Sequence, residues 1–441
     1  MLSLGSFVIL GLPDGMLGTA WPSMRATFGA PVGDLGLILL IATAGSVLVT
    51  AFVGPLIRRL GVPALLAVAG SVAALGYTGF ALAPGLWLVL AVAVLLGVAA
   101  GMMDAGLNTA VALTGRHRLL NLLHGAYGVG TAIGPLVVTA AILTGSWRPA
   151  YLVQVALDLV LAALWLRHRR RDRAQARVTA SPEAASEPHP AAAWSRRRYS
   201  GVVVAGMTVF FVYTGLEVGA GQWEASFCRG QLNLSPGATG LAAFGYWGSL
   251  TAVRIGLALR PVAPQAVVRW GSALAVIAAA AVWWQPDTAV AVAGFVVLGG
   301  ALAGVFPALI ALTPVRLGEQ RARNVISWQV GAAAAGGAGI SAVIGLLIGA
   351  TSLAILGPAM TVLALIVIAA ELILYRLAPP GPGSLSCARP PYARRGSGPY
   401  PADPPSVRKF GRTNCGSTLG PRAPATRPTR PRGAARLSLP G

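Results

Sequence analysis

Long apolar runs, separated by short polar or glycine- and proline-containing turns, fill the chain from its first residues to about position 377. A helix needs roughly 20 mostly apolar residues to cross a bilayer, and about twelve runs reach that length. They lie near 3–28, 32–56, 63–83, 86–113, 120–144, 147–166, 199–225, 236–259, 262–284, 287–314, 324–349 and 351–377. The runs are continuous and do not alternate polar with apolar residues, which predicts helices and not a barrel. The expected fold class is therefore an all-α membrane protein with about twelve transmembrane helices. The first run starts almost at Met1 and continues past signal-peptide length, so it is expected to be a retained span.

The runs fall into two sets of six. Residues 1–166 form a predicted N-terminal bundle and residues 199–377 a C-terminal one. Between them, residues 167–198 carry arginines at both ends and "TASPEAASEPHP" in the centre, the composition of a flexible polar linker. Two bundles on such a linker can rock against each other around a site at their interface. Residues 378–441 are rich in Pro, Gly, Ser and Arg, and are expected to be a disordered basic tail. On the cytoplasmic side such a tail can touch anionic lipid; the alternative is sequence without function.

Charge changes the picture through its placement. Only 11% of residues are charged, against about 25% in average soluble domains. The net charge of +21 invites a nucleic-acid reading. The arginines, however, concentrate in alternate turns: Arg58 and Arg59, Arg116 and Arg118, the run from Arg167, Arg254 and Arg260, then Arg316, Arg321 and Arg323. The intervening turns carry few, Arg25, Arg148 and Arg229. This is the positive-inside pattern. It predicts a multi-pass protein of the cell (inner) membrane with both termini and the linker cytoplasmic, and no nucleic-acid partner. Cys228, Cys387 and Cys415 and the scattered histidines have no metal-ligand or disulfide spacing. No phosphate-cradling loop or nucleophile elbow is present, so neither an enzyme nor a cofactor is expected.

Ionisable residues inside spans are costly and usually face a bundle interior or an aqueous cavity. Asp14, Asp104, Asp158, Glu217 and Glu371 qualify. Counting along the helices puts Asp14 and Asp104 each roughly 15 Å from the cytoplasmic surface, so the two acids could face one cavity if spans 1 and 4 are neighbours. Asp104 shares a helical stripe with Gly97, Gly101 and Asn108. Asn121 and His124 line a stripe with Gly128 and Thr131 in span 5, near the cytoplasmic end. Asn108, Asn121 and His124 either tie spans 4 and 5 together or contact substrate. The glycines of span 5, Gly125, Gly128, Gly130 and Gly134, are read as close-packing positions. In span 7, "YTGLEVGAGQWEASF" sets Glu217, Gln222 and Trp223 among Gly215, Gly219 and Gly221, which permit a break in the helix. An amide, a carboxylate and an indole suit a polyhydroxy ligand; interfacial anchoring is the alternative for Trp223 and the favoured role for Glu224. Trp328 and the adjacent Gln329 are the candidates in span 11. Asp158 and Glu371 lack a polar stripe.

The chain resembles the major facilitator superfamily. "GPLIRRLG" from Gly54 to Gly61 is similar to that family's G-x-x-x-D-R-x-G loop, with Arg58 at the Asp position. "GMMDAGLNT", "NLLHGAYGVGTAIGP", "YTGLEVGAGQW" and "GVFPALIALTPVRLG" resemble its fucose and sodium-glucose branch. That branch uses a carboxylate in span 1 and one in span 4, so the resemblance implies a coupling role for Asp14 and Asp104. Gly130, Gly134 and Pro135 resemble part of an exporter motif whose trailing Gly-Gly is replaced by Val138 and Thr139. The implied activity is secondary transport by alternating access, with a small-molecule solute such as a sugar moved by symport with protons or sodium, in a monomer embedded in the lipid bilayer. The substrate candidates are Asn108, Asn121, His124, Glu217, Gln222, Trp223, Trp328 and Gln329; Arg58, Arg59 and Arg254 are candidates for conformational gating. The alternatives are proton-driven export of drug-like compounds and a non-transporting sensor on the same scaffold.

Overall fold

The computed structural model describes residues 2–112, 117–175, 195–260 and 262–379. The linker centre and the tail after residue 379 lie outside the described residues, as does Arg116. The N-terminal half comprises α1 (Leu2–Phe28), α2 (Leu35–Leu60), α3 (Val62–Leu82), α4 (Leu86–Ala112), α5 (His117–Leu143) and α6 (Arg148–Gln175). The C-terminal half comprises α7 (Arg196–Gly230), α8 (Pro236–Leu259), α9 (Pro264–Trp284), α10 (Thr288–Leu302), α11 (Val305–Leu317), α12 (Glu319–Ala350) and α13 (Leu356–Leu377). No strand occurs among the described residues. Among the described residues, eleven segments are long and apolar enough to span a membrane, α10 and α11 counting together, and α8 adds a further helix of 24 residues. The all-α membrane fold expected from the pattern is the fold found.

Local chemistry starts the helices where the turns demand it. The hydroxyls of Ser195 and Ser235 and the carboxylate of Asp287 cap α7, α8 and α10 by accepting backbone N–H groups. Gly61 and Gly318 turn the chain with φ of 78° and 79°, a conformation costly for any residue with a Cβ. At the linker, α6 runs to Gln175 and α7 begins at Arg196, so both ends of the 167–198 segment are helical.

Small residues set the helix spacing. A methyl on Gly11, Gly15, Gly130 or Gly134 would lie within 2.3 Å of a backbone carbonyl oxygen across the α1–α5 contact. Gly97 meets the carbonyl of Ala42 on α2 in the same way, and Gly101 that of Ser46. Such approach maximises van der Waals contact where lipid leaves no hydrophobic drive between helices.

The expected break in α7 is absent. That helix is continuous over 35 residues. Its glycines admit neighbours instead: Ile340 against Gly215, Ile344 against Gly219, and Trp247 with Tyr246 against Gly221. Packing on those faces offsets the low helix propensity of glycine. The break lies in span 10, at Ala303–Gly304 between α10 and α11.

The halves touch through α1 and α7 at Gly18 and Gln222, through α5 and α8 at Gly128 with Thr251 and Thr139 with Gly240, and through α2 and α12 at Gly36 with Ala342. These contacts lie at mid-height or toward the ends remote from the chain termini. Toward the terminus side, Asp104 of α4 and His124 of α5 are exposed, and neither α4 nor α5 packs substantially against α10 or α11. The halves are thus sealed on the far side and parted on the terminus side.

Candidate functional site

Between the halves lies a cavity of about 440 Å³. Asp14, Tyr77 and Tyr127 line it from the N-terminal half, and Glu217, Gln222 and Arg254 from the C-terminal half. Phe80, Tyr151 and Trp247 add ring surface, and Leu17, Ile38 and Leu250 add aliphatic surface.

Asp14 sits at mid-length on α1, among residues otherwise buried, yet its own side chain opens into the cavity. The Tyr127 hydroxyl on α5 donates to its Oδ2. Gln222 Nε2 on α7 donates to the Asp14 backbone carbonyl at 2.8 Å, which ties the two halves at the cavity wall. The side-chain oxygen of Gln222 is buried and accepts no hydrogen bond within the protein.

Glu217 occupies the matching place on α7, the first helix of the second half. Arg254 Nη2 approaches its two carboxylate oxygens at 3.2 and 3.1 Å. The Tyr213 hydroxyl, one turn earlier on α7, donates to Oε2. Both partners also reach the break in span 10. Tyr213 Oη lies 2.7 Å from the Leu302 carbonyl, and Arg254 Nε donates to the Ala303 carbonyl at 2.8 Å. A helix end leaves carbonyls without intrahelical donors, and these side chains cap them. A tyrosine has one hydroxyl hydrogen, so Tyr213 can serve only one of its two acceptors at a time. The carboxylate facing the cavity is therefore linked by hydrogen bonds to the interruption in span 10.

The family model of the Major Facilitator Superfamily matches residues 3–340. The chain belongs to that superfamily. The crystal structure of a D-xylose-proton symporter shares its fold, with a TM-score of 0.68 and 13% identity over 86% of this chain and 97% of the symporter chain. No curated protein matches the sequence.

Within this superfamily architecture the sequence candidates separate. Asp14, Glu217, Gln222 and Arg254 meet in the cavity wall. Asp104 does not line it; the residue is exposed one turn beyond Ala100, which does, on the parted terminus side. Asn108 Nδ2 donates to Asp104 Oδ1 at 3.0 Å. His124 is exposed, packs edge-on against Phe7 at 5.7 Å, and lies close enough to Asp104 for their charges to interact. Asn121 lies on α5, and its side chain is outside the described residues.

Three further candidates lie away from the cavity. Trp223 is fully buried and donates its indole N–H to the Ser341 carbonyl at 3.0 Å, joining α7 to α12. Gln329 is buried and accepts from Thr313 at 3.0 Å, joining α12 to α11. Trp328 is half-exposed and does not line the cavity. Arg58 and Arg59 are exposed at the end of α2.

Two arginines counted as turn residues are not in turns. Arg254 lies on α8 beside Glu217, and Arg316 is buried on α11, 2.6 Å from Glu371. Glu224 is not an interfacial anchor: it is fully buried, with both carboxyl oxygens lacking hydrogen-bond partners. Asp158 and Glu371, which lacked a companion in the sequence stripes, have partners in Gln154 and Arg316. Tyr127 and Tyr213 are partners of the cavity carboxylates that the polar stripes of the sequence do not mark. For Tyr213 the signal was its four-residue spacing from Glu217, the reach of side chains on one helix face. No local spacing marks Tyr127, whose partner is 113 residues away. No cluster of His, Cys, Asp and Glu able to hold a metal occurs among the described residues.

Proposed function

We propose that the protein is a secondary active transporter that moves a small polyhydroxy solute, such as a sugar, in symport with protons. The observation that carries this reading is one cavity, lined from both halves, in which Asp14, Gln222, Glu217 and Arg254 converge. Its volume of about 440 Å³ falls within the usual range for small-molecule sites. Hydroxyl groups of a solute can donate to the Glu217 carboxylate and the free Gln222 oxygen and accept from Arg254. Tyr77, Tyr151 and Trp247 supply ring faces for the apolar side of a sugar. The likeness in fold to a D-xylose-proton symporter supports the substrate class, and the branch resemblance of spans 4, 5, 7 and 10 points the same way.

In this mechanism the far-side seal breaks and the terminus side closes as the halves rock, so the cavity faces each side in turn. With the termini cytoplasmic, as the arginine-bearing ends of α2 and α8 suggest, the conformation described is open to the cytoplasm. Asp14 holds the proton beside the solute, and Asp104 lies on the exit route, where His124 and Asn108 shape its surroundings. A proton taken from outside with the solute is lost inside, so the gradient drives accumulation.

The test is uptake by proteoliposomes of the full chain, with a labelled sugar panel and an imposed proton or sodium gradient. A proton gradient should drive accumulation of at least one sugar, and Gln222→Ala should weaken its apparent affinity. The aliphatic part of the lining favours a second reading, export of apolar compounds. Sugar-independent, proton-driven movement of a lipophilic cation in the same vesicles would replace the first reading with the second.

A further inference from the structure

A second cavity, of about 20 Å³, lies inside the N-terminal half between α1, α3, α4 and α6. Gln154 and Asp158 line its polar end. Pro13, Tyr77, Leu96 and Ala100 line both this chamber and the main cavity, so the two share a wall one residue from Asp14.

The polar end has an incomplete hydrogen-bond inventory. Gln154 Nε2 donates to the Ile9 carbonyl at 3.2 Å and to Asp158 Oδ2 at 3.1 Å, which uses both of its hydrogens. Gln154 is 2% exposed, and its Oε1 is buried without any donor. A water needs a cavity of about 10–15 Å³ and two or more polar partners. The chamber has that volume, and it has an unmatched acceptor beside a carboxyl group.

We propose that the chamber holds one water that donates to Gln154 Oε1 and Asp158, and that Asp158 is a second proton-exchanging carboxyl group served from the main cavity past Tyr77. The proposal deepens the proton-coupled reading and rests on it. Anchoring α6 to α1 does not require an acid, because Gln154 alone reaches Ile9. The polar and titratable groups that share the chamber with Asp158 are Gln154 from α6 and Tyr77 from α3; α1 contributes Ile9, Leu10 and Pro13, and Asp14 and Tyr151 lie beyond, close to Tyr77. Helix α4 contributes Leu96, Ala99, Ala100 and Met103, all apolar. No cation lines the chamber, so nothing holds Asp158 as a permanent carboxylate. Acids enclosed within spans commonly belong to substrate, ion or proton pathways. Tyr77 is held in place by stacking on Tyr151 at 6.0 Å. In the exchange step the Asp158 O–H gives its proton to the chamber water, which releases another past Tyr77 to the cavity; loading is the reverse.

The test needs no substrate. Infrared difference spectra of the full chain in lipid, recorded across a pH titration and after transfer to D₂O, read protonated carboxyl groups directly. Wild type should show a titrating carboxyl band that Asp158→Asn loses and Asp14→Asn keeps. Ala99→Val, which fills the chamber while leaving every titratable group in place, should keep the band but slow its exchange into D₂O. If Asp158→Asn is folded and its difference spectrum matches wild type, Asp158 does not exchange protons and the proposal fails. If Ala99→Val exchanges as fast as wild type, the chamber is not the route and the proposal fails. Absence of proton-driven uptake of any solute, with the band present, would overturn the symport reading and leave the site itself standing.

Discussion

Replacing Gly36 by alanine should shift the protein away from the conformation described here. A methyl at Gly36 would lie 2.5 Å from Ala342 Cα and 3.1 Å from Ala342 Cβ, across the far-side seal between α2 and α12. Neither atom belongs to a side chain that can rotate away, so one helix must move. Overpacking of this kind costs about 1–3 kcal/mol. The opposite conformation, in which α2 and α12 have parted on the far side, escapes that cost. The ratio of the two states should therefore change by about 5- to 150-fold in favour of the far-side-open form.

Spin labels at Leu60 and Leu259, exposed at the terminus-side ends of α2 and α8, report the change as an inter-label distance distribution. The full chain is used, with Cys228, Cys387 and Cys415 replaced. Gly36→Ala should enrich a shorter distance as the terminus side closes. Gly256→Ala, whose added methyl meets no atom within 4 Å, serves as the control and should leave the distribution unchanged. An unaltered distribution in a folded Gly36→Ala protein would show that the Gly36–Ala342 contact does not belong to the moving interface.

Glu371→Gln removes the charge paired with Arg316 inside the C-terminal half, where the two side chains are 9% and 3% exposed. Breaking a buried pair costs about 3–5 kcal/mol, and the double replacement Glu371→Leu with Arg316→Met should recover most of it. Thermal unfolding in lipid reads both; a single variant as stable as wild type would sink the claim. Trp223→Phe deletes the bond to the Ser341 carbonyl and should cost about 1 kcal/mol of stability with no change in affinity for any transported sugar. Weakened sugar binding at unchanged thermal stability would instead put Trp223 in the site.

Most of the fold was legible because the bilayer leaves few solutions. Every backbone polar group in hydrocarbon must be satisfied within its own segment, so a continuous apolar run of sufficient length becomes a helix. Where a helix breaks was not legible. Gly215, Gly219 and Gly221 offered a break in α7, but each glycine is covered by a neighbouring side chain and the helix continues. The real interruption, at Ala303 and Gly304, is fixed by donors from other helices, Tyr213 and Arg254. Nothing within span 10 announces them.

The same limit explains how the site came out of the sequence in part. Asp14, Glu217 and Gln222 were visible because a polar group in an apolar run stands out against its own neighbours. Arg254 is the instructive case. An arginine six residues before Arg260 at a helix end looks like one more topology signal, or a gating group near the membrane surface. Its position becomes functional only through Glu217, a residue 37 positions earlier on another helix, and through the Ala303 carbonyl on a third. A basic side chain near a span end thus has two physical fates, solvation at the headgroups or pairing inside the bundle. What decides between them is a carboxylate across the helix contact. In this chain both arginines that left the topology pattern, Arg254 and Arg316, have such a partner in Glu217 and Glu371. Acids and arginines within spans are therefore better read as pairs to be matched across helices than as separate lists. The acid left without a basic match beside the main cavity is Asp14, whose donor is the uncharged hydroxyl of Tyr127. Under the proposed symport mechanism, that difference suits the two cavity carboxylates to different work: Glu217, with its fixed counter-charge, to holding the solute, and Asp14, without one, to carrying the proton.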